Sequence, residues 1–270
     1  MAEFASYSRA DAAQTVPGTI DDAPLIGDWI NCKPDTSCIR RAVVHRTDGR
    51  LRIRVWGAGA DGPVEWGEVE ATPYIAGTGL VAGGFCARFV LGQVETQLAT
   101  NEKFGVLIIQ SYTRFLDGSG RRAHYSREFF QPQERLPAIA GGDRAAMSAQ
   151  SADVDLAPLA GTWWNSERKS RWWDKVVIAP QADRTTIRIF GRSEPRDWGM
   201  TTLFGYRDTL GELAFEGTIE TGPMRTLMAA NMNKNLMIIA AFHRFAPGDG
   251  RSNFLVREFY YRDTDPPQEP

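Results

Sequence analysis

Ala23-Pro24-Leu25-Ile26-Gly27-Asp28-Trp29-Ile30-Asn31 returns 134 residues later as Ala157-Pro158-Leu159-Ala160-Gly161-Thr162-Trp163-Trp164-Asn165. Further on, Val55-Trp56-Gly57 matches Ile189-Phe190-Gly191, and Trp66-Gly67 with Tyr74 matches Trp198-Gly199 with Tyr206. Arg114-Phe115, Gly118, Gly120-Arg121 and Arg127-Glu128-Phe129 match Arg244-Phe245, Gly248, Gly250-Arg251 and Arg257-Glu258-Phe259. The matches keep their order and the offset drifts only by loop-sized steps, so the chain is a doubled module. The copies span 24–131 and 156–263. A stretch rich in Ala, Gly, Pro and Ser over 132–155 reads as a linker, and 1–23 and 264–270 read as flexible tails.

Within a copy the segments are short, β-branched and aromatic, and glycine, aspartate and asparagine punctuate them at the spacing of an all-β domain. Leu51, Ile53 and Val55 alternate with Arg52, Arg54 and Trp56, giving a strand with one apolar face. The second copy repeats this in Ile187 and Ile189 against Arg188 and Phe190. Around Leu116-Asp117-Gly118-Ser119-Gly120-Arg121 the pattern predicts a hairpin running from Val106 to Phe115 and from Arg122 to Phe130. Ala246-Pro247-Gly248-Asp249-Gly250-Arg251 is its counterpart. About eight strands fit each copy, with no long amphipathic helix. Eight strands lose their edges by closing on themselves, so the expected fold is all-β, two tandem antiparallel up-and-down eight-stranded β-barrels.

With 31 basic and 33 acidic residues, the chain generates no overall field that would draw it to nucleic acid or an anionic membrane. The first sixteen residues show no signal-peptide pattern, and no apolar run reaches the length of a spanning helix. A soluble, cytoplasmic protein is expected. Cys32 and Cys38 flank a turn-rich stretch and could bridge under oxidising conditions, whereas Cys86 reads as a buried thiol in a strand. His45, His124 and His243 fall at non-equivalent positions without ligand spacing, so no metal site is expected. H-E-x-x-H, C-x-x-C, G-x-S-x-G and the nucleotide-binding glycine patterns are all missing, and no cofactor is expected.

Gly27-x-Trp29 and Gly161-x-Trp163 resemble the G-x-W that opens the first strand of lipocalin and avidin-like barrels. The resemblance implies a tryptophan packed at the closed end of each barrel against an arginine from near the last strand, where Arg127 and Arg257 stand. It also implies a cavity for one small ligand. A T-D-Y motif at mid-chain and the biotin-contacting residues of avidins are missing, so biotin binding is not carried over.

Candidate ligand-contacting residues are the repeated aromatics Trp56 and Phe190, Trp66 and Trp198, together with Trp164 and Trp172 from the denser aromatic stretch of the second copy. Candidate acid/base residues are Glu128 and Glu258, because a carboxyl inside an apolar barrel has a raised pKa, and Tyr74 and Tyr206 as proton donors. The plainer alternatives are internal packing and turn anchoring for the aromatics, capping of a barrel rim for the tyrosines, and arginine pairing on the outer face for the glutamates.

Three functions stay open. The first is binding of a small hydrophobic or aromatic molecule in a barrel cavity or between the two barrels. The second is a cofactor-independent cyclase, hydratase or isomerase acting on a hydrophobic natural-product intermediate, as tandem lipocalin-like enzymes do. The third is a carbohydrate- or protein-binding module using exposed Trp and Arg.

Overall fold

The computed structural model describes residues 19–77, 79–135, 154–168, 170, 172–192 and 196–263. The protein is all-β. The first copy supplies β1 (Gly27–Asn31), β2 (Ile39–Thr47), β3 (Arg50–Gly59), β4 (Gly62–Ile75), β5 (Ala82–Leu91), β6 (Val94–Lys103), β7 (Val106–Phe115) and β8 (His124–Pro132). The second supplies β9 (Gly161–Asn165), β10 (Trp173–Pro180), β11 (Thr185–Gly191), β12 (Asp197–Arg207), β13 (Leu213–Thr221), β14 (Met224–Asn233), β15 (Leu236–Phe245) and β16 (Phe254–Arg262). The chain divides into two compact units, one carrying β1–β8 and the other β9–β16. We call them repeat 1 and repeat 2.

In repeat 1 each strand pairs antiparallel with the next, and β8 returns to β1 through Trp29 opposite Pro132 and Asn31 opposite Phe130. Repeat 2 follows the same circuit, with β16 returning to β9 through Trp163 opposite Arg262 and Asn165 opposite Tyr260. The two hairpin registers are identical: Thr113 faces His124 in repeat 1, and His243 faces Phe254 in repeat 2. Because each strand runs antiparallel to the next, the β1–β2, β3–β4, β5–β6 and β7–β8 connections share one end.

The period-two pattern places the core. Leu51, Ile53 and Val55 are buried with Trp29, Val44, Ala71, Phe85, Leu98, Ile109 and Phe130, drawn from all eight strands. On the opposite face Arg52 and Arg54 pair with Glu68, and Arg50 with Glu70. In the span read as a tail, Asp21 bridges to Val81, so the chain is tied down before β1. Residues 1–18, most of the linker and 264–270 lie outside the described residues. The three cysteines are unbridged. Among the described residues no helix is long and apolar enough to cross a membrane.

The tryptophan of each G-x-W is fixed from below by a short 3-10 turn. Trp29 Nε1 donates to the Leu25 carbonyl at 3.0 Å, and Trp163 Nε1 to the Leu159 carbonyl at 2.9 Å. The expected arginine partners are corrected by strand parity. Arg127 and Arg257 alternate with the inward Glu128 and Glu258, so their guanidinium groups lie over Phe129 and Phe259 instead, at 4.8 and 4.9 Å. Arg262 is the residue directly opposite Trp163 in register, and it covers that indole at 4.8 Å. Its counterpart in repeat 1 is Pro132.

Candidate functional site

The shared end of each repeat is built around a loop lock. In repeat 1, Asn31 Nδ2 donates to the Ile39 carbonyl at 2.7 Å and its Oδ1 accepts from the Lys33 N–H at 2.8 Å. Thr36 Oγ1 donates to Glu128 and accepts from the Cys38 N–H at 3.0 Å. Repeat 2 reproduces every bond with Asn165, Ser170 and Glu258, and Tyr260 Oη adds a second donor to Glu258 at 3.1 Å. The glutamates therefore hold the β1–β2 and β9–β10 loops from the last strand; hydroxyls and amides, not arginines, satisfy them. Burial pushes both carboxyls up, against these hydrogen bonds that favour the ionised form.

Removing such an acceptor leaves buried donors unmet. Glu258→Ala should cost about 1–3 kcal/mol, and Glu258→Gln, which keeps an acceptor of the same shape, clearly less. Thermal unfolding checks this, and an alanine variant as stable as wild type would remove the lock from the account.

Above the lock the repeats diverge. In repeat 1 the inward faces of β6, β7 and β8 carry hydroxyls: Thr96 and Thr113 lie 2.9 Å apart, and Ser111 and Ser126 lie 2.7 Å apart. His124 faces Thr113 across the ladder. Its imidazole is pushed down to about 4 by burial, and its Nδ1 is buried without a hydrogen-bond partner among the described residues. Cys38 completes the wall, its thiol raised by burial and by the nearby Glu128 carboxylate. Trp66 meets Phe89 edge-on at 5.8 Å, and a side chain at Gly57 would land inside the Trp66 indole.

In repeat 2 the same rungs hold Thr226 and His243, Ala241 and Val256, and Phe254 in place of His124. Trp172 stands where repeat 1 has Cys38, and Trp173 where it has Ile39. Trp172 lies 4.5 Å from His243, 5.1 Å from Trp198 and 5.1 Å from Phe254, so an aromatic cluster fills this end. Trp172 and Phe254 are each 4% exposed, Phe245 5% and Trp198 8%. Their counterparts Cys38, His124, Phe115 and Trp66 are all partly exposed. Four aligned inward positions are thus more open in repeat 1.

The other expected site residues lie elsewhere. Trp56 is on the outer face, with the Arg41 guanidinium 4.8 Å above its ring. Phe190 and Trp164 are also outside, each 5.0 Å from the Lys175 ammonium. Trp164 further lines an open groove of about 460 Å³ with Arg168, Asp174, Arg192, Tyr261 and Asp263. Tyr206 donates to Glu216 at 2.6 Å, on the face opposite Phe215 and Gly217. Tyr74 is buried at the end of β4, off the inward parity of Val69 and Ala71. Of the expected residues, then, Trp172 and Trp198 are in contact in repeat 2, Trp66 packs on Phe89 in repeat 1, and Glu128 and Glu258 hold the loop locks.

His124, Thr36, Ser170 and the two asparagines were missed by the sequence reading. The recurrence of Asn31 with Thr36 as Asn165 with Ser170, alongside the repeated glutamates, was the available signal. Among the described residues no group of His, Cys, Asp and Glu could hold a metal ion. No family model matches the chain, and no curated protein matches its sequence.

Proposed function

We propose that each repeat works as a small up-and-down barrel and that the interior of repeat 1 binds a small, largely apolar or aromatic molecule. The observation that carries this is the exchange of Trp172, Trp173 and His243 for Cys38, Ile39 and Thr113 on one circuit of strands. Two indoles and an imidazole give way to a thiol, a butyl and a hydroxyethyl group. Space of that order is what barrels of eight strands use for one ligand. The walls fit the reading: Trp66 and Phe89 offer aromatic surface, and His124 with the four hydroxyls offers a few fixed hydrogen-bonding groups.

The test uses N-phenyl-1-naphthylamine, a neutral dye whose emission rises in apolar sites. Saturable binding is expected for the wild type, with affinity lowered at least about 100-fold in Cys38→Trp, an occupancy loss of close to 3 kcal/mol. His124→Phe should weaken it in the same direction. Both changes copy residues that repeat 2 already accommodates on the same circuit. Dye binding untouched by both variants would place the site elsewhere. Native mass spectrometry of the purified chain would register a retained ligand directly.

Cofactor-free isomerase, hydratase or cyclase chemistry is the second reading, favoured by one arrangement. Glu128 and His124 lie on the same face of β8 with Ser126 between them, so a bound molecule would meet a carboxyl biased toward its protonated form and a neutral imidazole. Against it stands Glu258, which performs the same loop lock where the interior is filled. In this reading Glu128→Gln would lower turnover by about 10²–10⁴-fold and leave dye affinity unchanged.

A further inference from the structure

The aromatic cluster of repeat 2 carries more hydrogen-bond donors than its surroundings satisfy. Nε1 of Trp172, Trp173 and Trp198 and Nε2 of His243 are all buried without a hydrogen-bond partner among the described residues. Their rings are in mutual contact, with His243 4.5, 5.9 and 6.5 Å from Trp172, Trp173 and Trp198, and Trp198 5.1 and 6.1 Å from the other two indoles. Every one of these residues is more than nine-tenths buried, His243 completely.

The fold itself does not ask for three of these groups; only Trp198 recurs in repeat 1, as Trp66. Where an indole serves the architecture, as at Trp29 and Trp163, its N–H is matched by a carbonyl. The counterparts in repeat 1 of Trp172, Trp173 and His243 are Cys38, Ile39 and Thr113, with no ring nitrogen among them. A buried polar group left unmet costs about 1–3 kcal/mol, and native proteins keep such groups few. Four in one cluster point to a guest.

Counting donors and acceptors defines that guest. Thr226 Oγ1 lies 2.7 Å from His243 Nδ1. In the tautomer in which the hydroxyl donates there, the imidazole proton sits on Nε2 and the cluster presents four N–H donors and no acceptor; the opposite tautomer makes Nε2 an acceptor suited to water, which is the water-only outcome of the test below. A water molecule could accept two of these bonds, but its own two protons would find nothing to donate to. A monatomic anion has only lone pairs to offer. Aromatic edges carry the positive part of the ring quadrupole and favour negative charge beside them.

We propose that the aromatic cluster of repeat 2 binds a small acceptor-only guest, a monovalent anion of halide type, held by the N–H groups of Trp172, Trp173, Trp198 and His243. This site is separate from the ligand reading of repeat 1 and stands without it.

Bromide is the probe. Titrated at constant ionic strength against gluconate, it should quench the full-length protein's tryptophan fluorescence saturably. Trp172→Phe and Trp198→Phe each keep an aromatic ring and remove one donor, and each should weaken the effect by about tenfold or more. Crystals grown in bromide should show an anomalous peak within hydrogen-bond reach of at least two of the four nitrogens, a readout that needs no variant. The response should persist in His124→Phe, so failure here and failure of dye binding by repeat 1 are separable. Linear quenching equal in wild type and variants, or a map with only water or no peak beside these nitrogens, overturns the proposal.

Discussion

Trp172→Ala should destabilise repeat 2 by about 3–5 kcal/mol, the cost of removing a large buried aromatic side chain and leaving its space behind. The indole is 4% exposed and packed on Trp198, His243 and Phe254 at 4.5–5.1 Å, which leaves its neighbours little freedom to collapse. Cys38→Ala at the matching position of repeat 1 should cost no more than about 1 kcal/mol, because it deletes one partly exposed atom. Calorimetric unfolding of the two variants measures the difference. Equal effects would mean that the two interiors are filled alike, and the ligand reading would lose its basis. The size of the Trp172 effect carries a second message. Deleting the side chain also deletes an unmet N–H, a gain of about 1–3 kcal/mol that offsets part of the packing loss. If the N–H is satisfied by a bound anion, that offset is absent and the loss sits at the upper end of the range in bromide.

What the sequence made legible was whatever depends on local period or on comparison of the copies. The alternation at Leu51, Ile53 and Val55 identified a core face because strand side chains alternate whatever the tertiary context. The glycines of Leu116–Arg121 marked the hairpin because few other residues make such a turn. The loop lock was not legible, since Thr36 and Glu128 are 92 residues apart and Ser170 and Glu258 are 88 apart, and nothing local to either residue announces the other. The arginine partner of Trp163 was misplaced because motif similarity stood in for parity; counting alternate positions along β16 excludes Arg257 and permits Arg262. The histidines were set aside as non-equivalent, which is true along the chain. In the ladder His124 and His243 occupy the same rung from opposite strands, a relation visible only once the register of both hairpins is known.

That shared rung sets the pH response. Burial pushes His124 down to about 4 and His243 to about 3, while the unfolded chain protonates both near 6.5. Below pH 6.5 the unfolded state therefore binds protons that the folded state refuses, and stability falls as pH falls, by about 1.4 kcal/mol per unit for each histidine. Between pH 6.5 and 4, His243 alone should remove about 3 kcal/mol. The two locked glutamates act in the opposite direction. Their folded pKa values are raised, so they take up protons before the unfolded carboxylates do, and they favour the folded state as pH drops through the raised values. The net slope is the histidine slope less this contribution, and toward the acid end the carboxylates held low by their hydrogen bonds, Glu68, Asp117, Asp197 and Asp249, add to it. Denaturant midpoints measured from pH 7.5 to 4 in wild type, His243→Phe and Glu258→Gln separate the two: the first variant should flatten the acid-side slope, and the second should steepen it. A wild-type curve level across this range, unchanged by either variant, would mean that the rung is open to water in both repeats. The histidine of repeat 2 could then be neither fully enclosed nor part of a dry donor cluster.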